Sequence, residues 1–387
     1  MTIVDRNVTT TQEVLDAARD LAPAIAGRAA EIEGARRVPS DLLDELIAAG
    51  CFRVLLPSSH GGIGADLPSA MRVFETLAGA DASVGWTVMI GGCSWCDLVG
   101  LPRPTFDELF AGGRDTIVAG AFNPSGSIAA DANAYRVNGR WSFASGCEHA
   151  DWLFGNCVEG IVDGAPQLRM AVFQAQDVVI EDTWAVSGLC GTGSHHFRVD
   201  NVVVPRERTL VPLVDEPCLD DPVVRIPVPA MASLGIASIA IGIAQGALHD
   251  IVALAVDKTP LLAHGPLAAN PLFQLELATA DTDVRAARAL LYETADAAWA
   301  TATSEAPLTL EERARIRAAA VWVTERASAV VDVAYRAGGG TSVYAHCPLQ
   351  RRLRDIHALT QHFLVKRDTL TTAGAIFAGQ DPHVMVF

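Results

Sequence analysis

Apolar and polar positions change their spacing twice along the chain. From residue 11 to about residue 112 the spacing is helical: Leu42, Leu43, Leu46 and Ile47 share one face, Ser40 is placed to cap that helix, and Asp41 and Asp44 fall in its first turn. Gly50 ends it. Residues 56–64 are too rich in glycine for regular structure, and helical spacing resumes over 67–78. Near residue 116 the texture turns to short β-type runs over 117–122, 168–173 and 196–204. Asn138-Gly139 lies between Tyr135-Arg136-Val137 and Arg140-Trp141-Ser142-Phe143, which predicts a two-residue hairpin turn. After Pro229 the helical period returns, with one long helix through Ala286, Leu290, Glu293 and Ala297 and another over 313–335. Helices, then strands, then helices do not make a doubly wound sheet, which needs alternation. The expected class is α+β, mostly α. A helical domain spans residues 1–112, a middle antiparallel β-barrel 113–215, and a helical bundle 216–387.

Composition narrows the partners. At 387 residues, half of them hydrophobic and 19% charged, the chain has material for a large core. A formal net charge of -16 disfavours nucleic acid and anionic membrane surfaces. Residues 226–249 carry no Asp, Glu, Lys or Arg, yet they abound in Ala, Gly and Ser, as the middle helix of a soluble bundle does. Asp5 and Arg6 interrupt any apolar run at the start, so a cytoplasmic protein is expected. The eight cysteines are scattered among apolar neighbours and read as buried thiols; Cys93 and Cys96 have no second pair at zinc spacing, so no metal site is expected.

Four segments carry candidate chemistry. In residues 139–152, Trp141 and Phe143 alternate with Ser142 and Ala144, which gives a strand one aromatic face; Ser145-Gly146 breaks the alternation where a backbone can approach a flat ligand. A hairpin strand with a core tryptophan and a turn serine has the same pattern. Residues 188–194, Gly-Leu-Cys-Gly-Thr-Gly-Ser, lack the context of a dinucleotide fingerprint. Their small residues open a backbone nest around Gly191, with Thr192 and Ser194 as hydroxyl donors, or make a plain turn. Gly338-Gly339-Gly340 exceeds what a helix C-cap requires. In residues 351–362, His357 and Gln361 share a helical face, and His362 lies a quarter-turn away. A histidine near its ordinary pKa of ~6.5 exchanges protons at neutral pH.

Together, in this order, these segments resemble the acyl-CoA dehydrogenase fold in its oxygen-using branch, the two-component flavin monooxygenases, over essentially the whole chain. The resemblance implies that the Ser145 hydroxyl faces the flavin N5, with Trp141, Phe143 and Gly146 around it. It places Gly191, Thr192 and Ser194 beside the cofactor, together with Gln361 and the Gly339-Gly340 loop. His357 is the first choice for the active-site histidine and His362 the second. The segment 85–92 looks most like members acting on indole-type substrates, so Trp86, Met89, Cys93 and Ser94 form the expected substrate side. Relatives that act on phenols carry a histidine where Cys93 and Ser94 stand here. The dehydrogenase branch takes its glutamate from the loop after the Arg-Asp motif or from the helix over 226–249; this chain has no glutamate after Glu325 and no carboxylate in 226–249.

The implied reaction is hydroxylation of a small aromatic compound, indole-type or phenolic, by a C4a-hydroperoxyflavin made from reduced flavin (FADH2 or FMNH2) and O2. The histidine accepts a proton from the substrate or steers the peroxide proton. With no nicotinamide motif evident, a separate NAD(P)H-dependent flavin reductase is implied, and so is a homotetramer. The alternatives are nitrogen oxidation of an amine or amino-sugar, acyl-CoA dehydrogenation, and a non-catalytic flavin-binding homologue.

Overall fold

Six helices open the chain in the computed structural model, which describes residues 8–111 and 116–382. α1 (Thr11–Gly27) starts in a capping box between Thr10 and Glu13, and α2 (Ala29–Ala35) follows directly. α3 (Ser40–Ala48) begins one residue earlier than expected: Pro39 occupies the cap position and Ser40 makes no capping bond, because it already has helical geometry. Gly50, at φ 77°, turns the chain out of that helix. α4 (Leu67–Ala80) and α5 (Ala82–Cys93) are capped by Asp66 and Asp81, whose carboxylates accept from backbone N–H groups of the first turns. α6 (Arg103–Leu109) completes the set.

Seven strands follow: β1 (Val118–Asp131), β2 (Ala134–Trp141), β3 (Trp152–Val162), β4 (Ala165–Gln174), β5 (Val179–Glu181), β6 (His196–Pro205) and β7 (Thr209–Leu210). They form one sheet in the order β5-β6-β2-β1-β3-β4-β7. β1 and β3 run parallel and every other pairing is antiparallel, so the expected closed antiparallel barrel is instead an open mixed sheet. The hairpin was also misplaced. β2 continues through Asn138-Gly139, with an irregularity in its pairing to β6 between Val137 and Gly139, and the turn is at Ala132-Asn133, with Ala132 at φ 51°. Gly139 is small for a different reason. A Cβ on Gly126, Gly139 or Gly155 would lie 2.4–2.5 Å from the Trp141 ring, so three strands cede space to one indole. That ring stacks on Phe197 at 4.9 Å and donates from Nε1 to Asn156 O at 2.8 Å.

The closing bundle comprises α7 (Val228–Asp257), α8 (Pro271–Thr303), α9 (Leu310–Gly338), α10 (Pro348–Leu359) and α11 (Thr369–Phe377). α7 is long and apolar enough to cross a membrane by composition, yet residues 233–244 are buried without interruption inside the molecule. Its glycines seat neighbours closely: a Cβ on Gly242 would lie 2.3 Å from Glu75 O of α4, and one on Gly246 would lie 2.6 Å from the Arg352 guanidinium of α10. Replacing either glycine by alanine presses on the α4 backbone, at Glu75 O from Gly242 and at Gly79 O (2.7 Å) from Gly246, at a cost of about 1–3 kcal/mol.

Candidate active site

β2 stops at Trp141, and the next four residues leave the sheet. Trp141 turns into the core, whereas Phe143 sits at φ 66° with 69% of its surface exposed, its ring edge-on to Trp184 at 6.1 Å. The two aromatics therefore do not share a face, because the strand ends between them. Trp141 is a core residue rather than part of a cofactor surround. A bulky side chain at positive φ is strained, and such strain persists where surrounding bonds over-determine it. Here Ala144 N–H donates to His195 O (3.1 Å) and Gly146 N–H to Thr192 O (2.9 Å), zipping the turn onto the 189–195 loop. Gly146 itself lies at φ 70°.

Between those anchors Ser145 is buried, its Oγ accepting from Trp86 Nε1 (3.0 Å) and lying 2.7 Å from Ser194 Oγ. Ser194 Oγ is in turn 2.7 Å from Thr192 Oγ1, which donates to Leu189 O (2.8 Å). Thr192 and Ser194 are thus turned inward, Ser194 onto Ser145 and Thr192 onto Ser194 and Leu189 O, and are not displayed as donors for a phosphate. Gly191 is a packing position: its N–H donates to Ser83 Oγ (3.1 Å), and a Cβ there would lie 2.3 Å from Ile32. The loop is pinned to α10 by Asp355, whose Oδ1 accepts from Leu189 N–H (2.7 Å).

Asp355 and Asp81 are both buried, and burial raises both carboxyls; with Asp81 as its next perturber, Asp355 is pushed up to about 7. Asp355 belongs to the Arg-Asp motif seen in the sequence, but its task of holding the loop under Ser145 had no local signal. Asp81 had one: an aspartate followed by Ala-Ser-Val is a helix-start pattern.

His362 joins the same corner. α10 ends at Leu359, and His362 caps a short turn over Phe363–Val365, accepting at Nδ1 from Leu364 N–H (3.3 Å). That bond places the proton of the neutral ring on Nε2. Its ring stands edge-on to Trp86 at 5.6 Å. Burial, aided by the Arg317 cation, pushes its pKa down to about 4. Trp86 is therefore the joint between Ser145 and His362, through its N–H and its ring. His357 is not brought there. It lies on the exposed side of α10, with Nε2 3.0 Å from Asp332 Oδ1, and Gln361 is exposed beside it. Gly339 and Gly340 are exposed at the end of α9, where Lys258 Nζ holds Gly338 O and Thr341 Oγ1. Of the expected substrate side, Met89 is buried against Gly235 of α7, Ser94 is buried and Cys93 is half-buried.

A flat, hydrogen-bonding cofactor fits this corner on two observations. Thr87 Oγ1 is buried without a hydrogen-bond partner one residue from Trp86, with its methyl beside Gly146. The Phe143 ring is held outward two residues before Ser145. Comparison with known proteins gives the family. The family models "Acyl-CoA dehydrogenase, N-terminal domain" and "Acyl-CoA dehydrogenase, C-terminal domain" match residues 9–99 and 234–367. The chain is 31% identical to the indole-3-acetate monooxygenase of Pseudomonas putida, over 96% of this chain and 94% of that protein. It is 32% identical to the oxygenase subunit of a flavin-dependent monooxygenase of Rhodococcus jostii, over 88% and 92%. Among solved structures, the 3-HSA hydroxylase from Rhodococcus sp. RHA1 superposes with a TM-score of 0.88 at 28% identity, covering 96% of this chain and 98% of that one. The chain belongs to the flavin-dependent monooxygenases built on the acyl-CoA dehydrogenase fold, oxidoreductases that work with reduced flavin and O2.

Proposed function

We propose that this chain is the oxygenase component of a two-component system that hydroxylates a small aromatic substrate, indole-type before phenolic, with reduced flavin seated against Phe143 and Ser145. The observation that carries the reading is Trp86, which ties a flavin-side hydroxyl and a substrate-side imidazole into one rigid unit. The flavin, when bound, supplies the activation of O2. Ser145 would hold its N5 edge, with the exposed Phe143 ring beside it. His362 serves as a hydrogen-bond donor through Nε2 and not as a base. Its Nδ1 is occupied by Leu364 N–H, and burial makes the imidazolium costly, so a neutral ring orients the substrate heteroatom and stabilises charge that develops there. The indole preference is supported by relatives named indole-3-acetate monooxygenase at 31% and 32% identity. The phenolic option is supported by one named resorcinol hydroxylase. Relatives described as an oxygenase subunit or component support a separate flavin reductase as partner. Domain limits of 1–112, 113–215 and 216–387, a homotetramer and a cytoplasmic setting complete the proposal.

The test supplies a flavin reductase, NADH, flavin and air, then adds indole-3-acetate or resorcinol. Expected is a product heavier by one oxygen atom, formed as the peroxide released per NADH falls. Stoichiometric peroxide with every aromatic tried would refute the reading, and reduction of bound flavin by an acyl-CoA thioester would replace it with dehydrogenation.

A further inference from the structure

We propose that Thr192 and Ser194 are positioning residues that set the direction of the Ser145 hydroxyl proton, so that the site discriminates reduced from oxidised flavin. The inference rests on the reading above that the flavin N5 faces Ser145. Each of the three hydroxyls has one proton, and both hydroxyl–hydroxyl contacts can run in either direction. The two ends are less free. Trp86 Nε1 can only donate and Leu189 O can only accept.

With protons running inward, Trp86 donates to Ser145, Ser145 to Ser194, Ser194 to Thr192, and Thr192 to Leu189 O. Every proton is used, and Ser145, 8% exposed, keeps one lone pair free. Running outward, Thr192 donates to Ser194 and Ser194 to Ser145. The Ser145 proton then points out, but Thr192 Oγ1 and Leu189 O face each other at 2.8 Å with no proton between them. The inward direction wins by one buried hydrogen bond. Leu189 O also accepts from Trp184 Nε1 (3.0 Å) and from Thr192 N–H (3.2 Å), and the Thr192 hydroxyl is the nearest of its three donors.

Reduced flavin carries N–H at N5 and meets the free lone pair directly. Oxidised flavin has only a lone pair at N5, so Ser145 must withdraw its proton from Ser194 to donate to it, and one buried hydrogen bond of the relay is lost whichever way the other two protons run. One net hydrogen bond corresponds to about a three- to tenfold bias in the ratio of dissociation constants.

The experiment measures Kd for oxidised flavin and, anaerobically, for reduced flavin by absorbance titration. It compares the wild type with Thr192→Val, Ser194→Ala and Thr192→Ser. Thr192→Val removes the sink without changing shape, and Ser194→Ala cuts the relay; each frees the Ser145 proton. In both, the ratio of oxidised to reduced Kd is expected to fall about three- to tenfold, chiefly through tighter oxidised flavin, while Thr192→Ser keeps the wild-type ratio. Damage to packing would move both constants together and leave their ratio alone. If the wild type binds both forms and neither Thr192→Val nor Ser194→Ala shifts the ratio, the relay is refuted and the flavin seat stands. If the wild type binds neither form, the seat falls and the relay with it.

Discussion

Removing the Ser145 hydroxyl should cost more than the bond it makes, and removing Trp86 as well should return part of that cost. In Ser145→Ala the Trp86 N–H stays in a position where only 6% of the residue is exposed, and its one acceptor is gone. An orphaned buried donor costs about 1–3 kcal/mol, against about 1 kcal/mol for the net worth of an ordinary hydrogen bond. Trp86→Phe leaves an oxygen lone pair instead, a milder loss, together with the packing lost beside His362. In the double variant Trp86→Phe/Ser145→Ala no donor is stranded. Its destabilisation should therefore fall short of the sum of the singles by about 1–2 kcal/mol. Urea unfolding of the flavin-free protein, followed by far-ultraviolet circular dichroism with the slopes checked for constancy, measures all four corners of the cycle. Additivity within about 0.5 kcal/mol would mean that the indole and the hydroxyl are not bonded in solution, and the joint between Ser145 and His362 would be lost with it.

His362→Gln and His362→Ala should cut product formed per flavin oxidised by about 10–100-fold, with peroxide making up the difference and flavin Kd held within about twofold. His357→Ala should leave both untouched; chromatography of product beside a peroxide assay decides. Stability should fall as pH drops from about 6.5 toward 4, because burial holds His362 and His149 down at about 4 while the unfolded chain takes protons near 6.5. Asp355 acts oppositely: with its pKa at about 7 in the fold and about 3.9 unfolded, its contribution is present below pH 4 and lost as pH climbs through 7. Asp355→Asn keeps an oxygen for Leu189 N–H, so its thermal midpoint should exceed that of the wild type at pH 8 and converge with it near pH 4. Gly155→Ala drives a methyl to 2.5 Å from the Trp141 ring and should destabilise by about 1–3 kcal/mol or more, with partial recovery on Trp141→Leu, read by the same unfolding assay.

Long periodic segments were legible in the sequence because a helix face repeats many times; α8 and α9 announce themselves at every turn. Single-residue decisions were not. Asn138-Gly139 looks the same whether the glycine turns a hairpin or makes room for an indole, and only the tertiary position of Trp141 separates the two. The alternation Trp141, Phe143 presumes that the strand continues, and the reversal to φ 66° is imposed by bonds to Thr192 and His195, about fifty residues away. Strand order has no periodicity of its own, so a parallel β1–β3 pair looked like any other. The resemblance points to residues 351–362 without saying which histidine turns inward, and helical spacing puts His357 and Gln361 on one face only while the helix lasts. α10 ends at Leu359, and past that point the spacing no longer says which way a side chain faces.

The case for oxygen insertion over carbon-acid chemistry turns on what the carboxylates are already doing. Removing a proton from carbon needs a carboxylate at the flavin edge with a free lone pair and a dry pocket. Among the described residues three acids are buried, and each has a structural task. Glu75 accepts from Arg288 Nε (2.7 Å) and the Tyr292 hydroxyl (2.6 Å), between α4 and α8. Asp81 caps α5 through Ser83 and Val84 N–H, and Asp355 pins the loop under Ser145. Asp97, whose carboxyl burial raises well above its usual range, lies past the end of α5 at Cys93, on the separate short turn over Ser94–Leu98. That leaves the Ser145 corner with oriented dipoles and a neutral imidazole: an indole N–H, three hydroxyls and Nε2 of His362. Such groups can hold a preloaded cofactor and a substrate and steady developing charge, which is the whole of what oxygen transfer asks of the protein. Hydride removal from an acyl thioester asks for a base as well, and Glu148, the acid three residues past Ser145, is engaged by Arg37 (3.2 Å) and lies 3.7 Å from His195 Nε2.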